Sequence, residues 1–340
     1  MTGPDPAVAA IRLAVRQSLA GLPVGSTVLV ACSGGTDSLA LAAATGFVAP
    51  RLELKAGAVV VDHGLQAKSD DVANQAAQAC RAIGLAPVEV VKVQLKGPAN
   101  VEAEARDQRY QALEATAAAH QAAAVLLGHS LDDQAETVLL ALGRGSGLTA
   151  LAGMPAARGP FIRPLLGITR QQTERACRAL DLQPWQDPMN QLGGPGYSAR
   201  VLLRQHILPQ LEDALGGGVA AALARTAGQV RQDLDYLDSA AAQLLTRVTS
   251  GGQVDAKVLS QAKPALRHRA IKQMALEWGA DPAALSAAHV KALDALTTAW
   301  HGQGAVALPG GVKVGRECGK LVVLETAVAQ AVKEIPSGSR

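Results

Sequence analysis

The sequence predicts an α/β protein whose parallel sheet is flanked by helices and followed by a mainly helical second domain with a small C-terminal β element. In the first part of the chain, short apolar β-branched runs alternate with helix-like stretches, which is typical of parallel sheets. From 219 to 300 the pattern is almost entirely helical. Pro-Gly-Gly and Cys-Gly-Lys turns then separate valine-rich runs over 304–326, as expected of a β-hairpin or meander.

The expected elements of the first domain follow one another in order. Strands are predicted at 28–32, 52–61, 88–93, 123–127 and 161–166. Helices are predicted at 6–20, 39–48, 69–83, 100–120, 132–142, 169–180 and 197–215. Because the carboxyl ends of parallel strands meet at one edge of a sheet, the turns that begin at Ser33, Asp62 and Gly128 should converge on one crevice.

A glycine run at 216–218 predicts the boundary between the two domains. The chain has 340 residues, which is enough for two separate cores. We therefore expect a first domain over 1–215 and a second over 216–340, with the last residues of the chain disordered.

Composition excludes several classes of protein. Hydrophobic residues make up 49% of the chain and charged residues 18%, which describes a globular rather than a disordered protein. The net charge of +3 is too small to indicate nucleic-acid binding by itself. The four cysteines are isolated, which indicates a reduced, cytoplasmic chain rather than a disulfide or zinc scaffold. No apolar run reaches about 18 residues, so we expect no membrane span.

A glycine turn follows the first predicted strand. Residues 33–38 read Ser-Gly-Gly-Thr-Asp-Ser, and a helix-forming run comes next. Glycines permit a tight turn, the N–H groups at a helix N-terminus attract phosphate, and the Asp37 carboxylate suits Mg²⁺. The alternative is an ordinary strand-to-helix turn capped by Ser or Asp. The string lacks the Walker lysine but matches SGGxDS, and here the chain resembles the PP-loop ATP pyrophosphatases.

Acidic residues cluster after the fourth predicted strand. With a helix that begins near Asp132, the side chains of Asp133, Glu136 and Thr137 share one face, and His129 comes just before it. Acids in a first helical turn also suit the helix dipole, so simple N-terminal capping is the alternative. Two carboxylates beside a histidine equally suit a cation, either Mg²⁺ or the ammonium group of a substrate.

Two arginines lie three residues apart in the predicted helix 100–120. The guanidinium groups of Arg106 and Arg109 suit phosphate groups. The alternative is a solvated helix face on which Arg106 pairs with Glu102.

Further strings agree, in order and spacing, with one family. They are VDHGL at 61–65, EAEARDQRY at 102–110, GHSLDDQAETVLLALGRGSGLTALAGM at 128–154, RPLL at 163–166 and DPMNQLGGPGYSARVLLRQHILPQLEDALG at 187–216. Over roughly 28–216 the chain thus resembles the tRNA(Ile)-lysidine synthetases. The resemblance implies a Rossmann-like PP-loop domain and a second domain that binds tRNA. The chain departs from the family at Val201-Leu202-Leu203, where members usually carry a further polar or basic residue.

Enzymes of that family join the ε-amino group of free L-lysine to C2 of the wobble cytidine in an isoleucine tRNA with the anticodon CAU. ATP first adenylates the C2 oxygen with release of pyrophosphate, and lysine then displaces AMP. The resemblance therefore implies a cytoplasmic C–N ligase that uses ATP and Mg²⁺, with free L-lysine and this tRNA as its partners. A homodimer is compatible with the sequence.

The resemblance also implies roles for particular residues. Those for ATP are Ser33, Gly34, Gly35, Thr36, Asp37, Ser38, Asp62, His63 and Gly128, with Asp37 also on Mg²⁺. Those for catalysis are Asp37, Arg106, Arg109, His129, Asp133 and Glu136, of which Arg106, Asp133 and Glu136 would bind lysine. Those for tRNA are Arg144, Arg200, Arg204, Arg267 and Arg269.

Three other functions share the phosphate loop. A tRNA thiolase of the same superfamily normally uses catalytic cysteines or a cluster held by CxxC, and the sequence has no CxxC. An amidating synthetase of the NAD or GMP synthetase kind would use a glutaminase partner, and its sequence context differs. A non-catalytic nucleotide-binding regulator is expected to lose Asp37 or the acidic pair, and this chain keeps both. The thiolase is the nearest alternative.

Overall fold

The computed structural model describes residues 3–64, 69–94, 101–186 and 198–325. The chain forms two compact units, Met1–Arg231 and Gln232–Arg340. The sequence places the domain boundary earlier, between 215 and 216, whereas in the structure the helix Val219–Val248 continues across the division. The disorder expected for the last residues falls on 326–340, outside the described residues.

The first unit is built around a parallel sheet. Its strands are β1 (Thr27–Ala31), β2 (Lys55–Asp62), β3 (Val88–Lys92), β4 (Ala122–Leu127), β5 (Ala157–Arg158) and β6 (Phe161–Ile162). They lie in the order β3-β2-β1-β4-β6-β5, and only the pair β5/β6 is antiparallel in the described sheet. In the central strand, Val28, Leu29 and Val30 are fully buried. Continuous apolar strands of this kind are required where both faces of a sheet are covered.

Helices cover both faces of this sheet. The helices of this unit are α1 (Pro6–Leu19), α2 (Thr36–Val48), α3 (Ser69–Ala82), α4 (Val101–Ala119), α5 (Leu131–Gly143), α6 (Leu148–Leu151), α7 (Arg170–Ala179), α8 (Ala199–Leu202) and α9 (Leu208–Leu215), of which α1, α2, α3 and α7 pack on one face of the sheet and α4 on the other. Val28 and Val30 of β1 pack in the layer formed by α1, α2, α3 and α7. Leu29 packs on the opposite face, with Leu113 of α4. The predicted parallel sheet flanked by helices is confirmed.

Two predicted strands are shorter in the structure. The strand expected at 52–61 begins only at Lys55, because Ala49–Leu52 forms a 3-10 turn that ends with Glu53 at φ 56°. The strand expected at 161–166 ends at Ile162. Pro164 has no N–H with which to continue a ladder.

The predicted helix 197–215 is divided in the structure. Between α8 and α9 lies a turn of π-helix, Leu203–Ile207, which carries Arg204. Pro209, at the start of α9, donates no hydrogen bond to the preceding turn. Short π-helical turns inside α-helices are rare overall, and many of those that occur lie at functional sites.

The second unit combines helices with an antiparallel sheet. After α10 (Val219–Val248) come β7 (Thr249–Ser250), β8 (Gln253–Asp255), α11 (Ala256–Ser260), α12 (Pro264–Glu277), α13 (Ala287–Thr298), β9 (Val306–Leu308), β10 (Val312–Glu317) and β11 (Lys320–Glu325). The expected C-terminal β element is confirmed, in the strand order β7-β8-β11-β10-β9. The sequence predicts 219–300 to be almost entirely helical with a break at Gly251-Gly252, and at that break the structure has a short hairpin over 249–255. Within the described residues, no helix has the length and hydrophobicity to cross a membrane.

Gly57 of β2 lies where the sheet leaves no space for a side chain. A Cβ atom at this position would lie 2.6 Å from the Pro87 carbonyl oxygen and 2.8 Å from Leu29 Cδ2. Because overpacking of a core typically costs about 1–3 kcal/mol, Gly57→Ala should lower the free energy of unfolding by that amount in urea titrations. Gly228→Ala is the control, since its Cβ meets nothing within 4 Å and alanine favours α10. Wild-type stability in Gly57→Ala would contradict the described packing.

Candidate active site

The turns that end β1, β2 and β4 lie at one edge of the sheet. Ala31 and Leu127, the last residues of β1 and β4, are in register, while β2 continues from Val59, the partner of Ala31, to Asp62 at the same edge. A Cβ atom on Gly128 would lie 3.2 Å from the backbone nitrogen of Ser38. The turn after β4 therefore touches the N-terminus of α2, and the convergence expected from the sequence is present.

The phosphate loop, residues 33–38, is held by its own serines. Gly34 adopts φ +81°, a conformation that favours glycine. The Ser33 amide donates to Ser38 Oγ at 3.2 Å, and Ser38 Oγ donates to the Gly35 carbonyl at 2.9 Å. Gly35 is the N-cap of α2, and no described side chain caps the helix there. The alternative of a turn capped by its own Ser or Asp is therefore wrong, and the first amides of α2 are suited to an anion.

Neighbouring segments fix the position of this loop. The Trp185 amide donates to the Gly34 carbonyl at 2.9 Å. On the other side, Gly128 approaches the backbone of Asp37 and Ser38, and a Cβ atom there would be only 3.2–3.3 Å from main-chain atoms, which is tighter than an ordinary contact. The phosphate loop is thus clamped between two segments that come later in the sequence.

Asp37 lies in the first turn of α2 and points toward α7. Its Oδ1 accepts a hydrogen bond from the Thr173 hydroxyl, while Oδ2 lies 3.6 Å from Arg170 Nε. Burial raises the pKa of the Asp37 carboxyl, against the opposing effects of Thr173 and Arg170. The carboxylate therefore stands in a desolvated position where an additional cation would stabilise its charged form.

Asp133 combines capping with ion pairing. Its Oδ2 accepts from the Ser130 amide at 2.8 Å, which completes a capping box at the start of α5. Its Oδ1 accepts from Arg170 Nη2 at 2.9 Å and from Arg204 Nη2 at 3.3 Å. Burial opposes ionisation, but Arg170, the Ser130 amide and Arg204 outweigh it and lower the pKa of Asp133. The capping interpretation of Asp133 is therefore confirmed, and the same carboxylate also forms ion pairs.

Glu136 lies one turn further along α5 and is 0% exposed. Arg204 donates to both of its oxygens, from Nε to Oε1 at 2.7 Å and from Nη2 to Oε2 at 3.1 Å. Two further arginines lie at a longer distance: Arg170 Nη1 is 3.7 Å from Oε1, and Arg200 Nη1 is 3.8 Å from Oε2. Asp133 and Glu136, here called the carboxylate pair, thus form one ion-pair cluster with these arginines, and Glu136 is its buried member.

Arg170 is a site residue that sequence reasoning missed. It is the first residue of α7, after the Thr169 capping box, and its side chain reaches the carboxylate pair and Asp37 together. Its backbone amide also donates to Asp132 Oδ2 at 2.8 Å. An arginine is unfavourable at the positive end of a helix dipole unless acids lie nearby, and that mismatch is the signal that would have pointed to it.

His129 is half-buried and neutral. Burial, joined by the positive charges of Arg109, Arg163 and Arg106, lowers the pKa of His129 to about 4, although Asp133 opposes the shift. Its Nδ1 has no hydrogen-bond partner among the described residues. A buried ring nitrogen without a partner is suited to a polar atom of a ligand.

Two more predicted residues lie at the same strand ends. The pKa of His63 is lowered by burial and by Arg109, and its buried Nδ1 likewise has no partner among the described side chains and backbone. Asp62 is buried and accepts from the Gly64 amide at 3.0 Å, which turns the chain after β2. Burial is also the main cause that lowers the pKa of Arg109.

Three arginine side chains lie around Tyr110 of α4. Arg106 and Arg109 lie 5.2 and 5.6 Å from its ring centre, and Arg163 Nη2 donates to its hydroxyl at 3.3 Å. Arg106 is exposed and Arg163 is buried. The alternative pairing of Arg106 with Glu102 involves a side chain outside those described.

The residues predicted to bind tRNA are in different environments. Arg144 is exposed at the end of α5, and Arg200 and Arg204 belong to the cluster described above. In the second unit, Arg267 is buried and pairs with Asp294 at 2.6 Å, so its guanidinium stabilises the packing of α12 on α13. Arg269 pairs with Asp238 at 3.0 Å.

Comparisons with known proteins add two family models and a set of close relatives. A PP-loop domain model matches residues 11–211, and a TilS substrate binding domain model matches 255–322. The tRNA(Ile)-lysidine synthase of Salinispora tropica is 52% identical over 326 residues, which cover 94% of this chain and 97% of the relative. That of Thermobifida fusca is 50% identical, with 95% and 99% covered, and that of Streptomyces coelicolor is 48% identical, with 94% and 99% covered.

Among solved structures, the U34-tRNA thiolase NcsA from Methanococcus maripaludis is similar in fold. It superposes with a TM-score of 0.54 at 20% identity, over 66% of this chain and 79% of the thiolase. At that identity the likeness shows the shared fold alone.

Gly128 provides a test of the phosphate loop. In Gly128→Ala, the new Cβ would meet the backbone of Ser38 at 3.2 Å, and a main chain cannot rotate away as a side chain can. The N-terminus of α2 should shift, and the affinity for ATP should fall by about tenfold or more in a titration calorimetry experiment. Gly143→Ala is the control, because its Cβ meets nothing within 4 Å. Equal ATP affinity in both variants would show that the contact does not shape the loop.

Proposed function

The chain belongs to the tRNA(Ile)-lysidine synthase family, and we propose that it joins free L-lysine to C2 of the wobble cytidine of an isoleucine tRNA with the anticodon CAU. In the first step the C2 oxygen attacks the α-phosphorus of ATP, and pyrophosphate leaves. In the second step the ε-amino nitrogen of lysine attacks C2, and AMP leaves. The observation that carries the proposal is a carboxylate pair, half-buried at Asp133 and buried at Glu136, close to an uncapped helix N-terminus.

The phosphate loop supports the first step. Amides and hydroxyls of residues 33–38 would hold the ATP phosphates at the N-terminus of α2, where the helix dipole favours negative charge. The turn after β2, with Asp62 and His63, is placed to hold the nucleoside of ATP. Arg109, which is desolvated, would neutralise charge on the adenylated cytidine.

The surroundings of Asp37 fit a magnesium ion. Mg²⁺ is commonly bound by one or two carboxylates together with substrate phosphates. Asp37 lies at the phosphate loop, and the 3.6 Å between its Oδ2 and Arg170 Nε is longer than a hydrogen bond. Asp37 would therefore hold the ion, which would neutralise the phosphate charge as pyrophosphate departs.

The carboxylate pair supports lysine recognition. Carboxylates bind a primary ammonium group through charge-assisted hydrogen bonds, and Asp133 stays ionised because its partners lower its pKa. The exposed Arg106 would pair with the lysine carboxylate. His129 has a pKa of about 4, so it remains neutral near pH 7 and is better suited to orient the cytosine through a hydrogen bond than to move a proton.

The tRNA would be held by arginines of the first unit and by the second unit. Arg144, Arg200 and Arg204 are partly or largely exposed and suit backbone phosphates. Arg269 would contribute from the second unit, whereas Arg267 acts within its fold. The predicted homodimer and the cytoplasmic location stay predictions, and sedimentation of the purified chain with and without tRNA measures the first.

The alternative is a PP-loop tRNA thiolase. The solved thiolase is a distant structural neighbour, whereas lysidine synthases are about half identical over nearly the whole chain. A single incubation separates the two: purified protein with ATP, Mg²⁺, radiolabelled lysine and the CAU-bearing isoleucine tRNA. We expect lysine on the tRNA, with AMP and pyrophosphate released. Adenylation of the tRNA without lysine transfer would contradict the proposal and leave only the ATP site.

Asp133→Asn tests the lysine site. The amide keeps the size of the side chain but removes the charge that pairs with an ammonium group. Because charge-assisted hydrogen bonds contribute about 1.5–3 kcal/mol, the KM for lysine should rise by roughly 10- to 150-fold while the KM for ATP changes little. Asp213→Asn, at an exposed position of α9, carries the same charge change and serves as control. A Tm loss in Asp133→Asn without a change in the lysine KM would make the residue purely structural.

The proposed role of His129 predicts a pH profile. Because its pKa is lowered to about 4, His129 is neutral from pH 5.5 to 8, and kcat/KM should show no inflection near its ordinary pKa of about 6.5. His129→Asn should lower the rate without changing the shape of that profile. A wild-type inflection near pH 6.5 that the variant abolishes would show instead that His129 transfers a proton.

A further inference from the structure

The carboxylate pair is already occupied in the ligand-free protein. Both oxygens of Glu136 accept from Arg204, and Asp133 divides its oxygens between Ser130 on one side and the two arginines on the other. Every carboxylate oxygen of the pair thus has a partner among the described residues. An incoming ammonium group would meet a neutralised cluster rather than a negative one.

We infer that Arg204 is an internal occupant of the lysine-ammonium site, and that lysine binds to the carboxylate pair only when Arg204 leaves it. The inference rests on the proposed function, since it concerns how lysine enters that same site. Arg204 then acts as a positioning residue that links lysine binding to whatever draws its guanidinium away.

Arg204, rather than Arg170, is the arginine able to leave. Arg170 begins α7, its backbone amide is tied to Asp132, and α7 packs against α1 and α2. Arg204 lies on the π-helical turn Leu203–Ile207. A π-helical turn that changes to the α-helical hydrogen-bond pattern advances the chain by one residue and rotates a side chain by about 100°. A change of this turn to the α-helical pattern would therefore carry the Arg204 side chain away from Glu136.

A phosphate group of tRNA is the competitor that fits. The guanidinium of arginine binds phosphate and carboxylate with the same two-pronged geometry, so a phosphate can replace Glu136 as its partner. Arg200 lies four residues before Arg204 and reaches the same cluster, with a side chain that is 37% exposed. Together they can transfer from the carboxylate pair to a nucleic-acid backbone, which frees Glu136 for lysine.

The expected consequence is positive coupling between tRNA and lysine. It is measured by equilibrium dialysis of radiolabelled L-lysine without ATP, with and without a transcript of the CAU-bearing isoleucine tRNA. For the wild type we expect tRNA to tighten lysine binding about tenfold, within the usual range of coupling between sites. For Arg204→Ala we expect lysine to bind without tRNA as tightly as it binds to the wild type with tRNA, and tRNA to change this by less than about twofold.

Controls separate this result from general electrostatics and from misfolding. Arg225→Ala removes an exposed charge from α10 and should leave lysine binding as in the wild type. Arg204→Lys keeps the positive charge that balances Glu136 but loses the two-pronged contact, so it should raise lysine affinity by a smaller factor. If thermal melting shows that Arg204→Ala is unfolded, lysine binding to Arg204→Lys is compared with the wild type instead. Glu136→Gln should abolish lysine binding with or without tRNA.

Two results would overturn the inference. One is that lysine binds to Arg204→Ala, or to Arg204→Lys if that variant carries the test, no more tightly than to the wild type. The other is that tRNA still tightens lysine binding to the variant by the wild-type factor. If the wild-type protein also transfers lysine to tRNA, either result shows that Arg204 does not occupy the lysine-ammonium site, and the proposed function stands. A wild type that binds no lysine even with tRNA contradicts the proposed function itself.

Discussion

The structure of the site depends on the balance of charge around Glu136. A carboxylate that is removed from water is strongly unfavourable unless cations and hydrogen bonds compensate it. Arg204 provides the direct contacts, and Arg170 extends the balance to Asp133 and Asp37. This one requirement explains why a helix that begins with an arginine, a π-helical turn and the phosphate loop all meet at α5.

The sheet brings these groups together because its central strands end side by side. The N-terminus of α2 provides amides for phosphate, while the turn after β4 leads into the capping box that orients Asp133. Gly128 belongs to both features, since it approaches the α2 backbone and immediately precedes His129. The loop at 33–38 and the carboxylate pair therefore lie at one edge of the sheet, where Arg170 contacts both Asp37 and Asp133, and the proposed two-step transfer requires such proximity.

Residue spacing and propensity predicted the features that are determined within short stretches of the chain. Alternating strands and helices, the glycine turn at 33–38 and the shared face of Asp133 and Glu136 could all be inferred from spacing and propensity. Pairings between distant segments could not be inferred in this way. Arg170 was missed, and Arg267, which looked like part of a basic surface, is buried against Asp294. The hairpin at 249–255 was also missed, because a glycine pair marks a break in a helix without indicating which element comes next.

The most direct test of this account is a crystal structure of the protein with L-lysine and the CAU-bearing tRNA. We expect the lysine Nζ within about 3.2 Å of Glu136 and Asp133, with the Arg204 guanidinium on a phosphate oxygen instead. The central claim would be contradicted if Arg204 remained on Glu136 while the lysine ammonium lay elsewhere. The carboxylate pair would then serve to stabilise the fold and not to bind the amino acid.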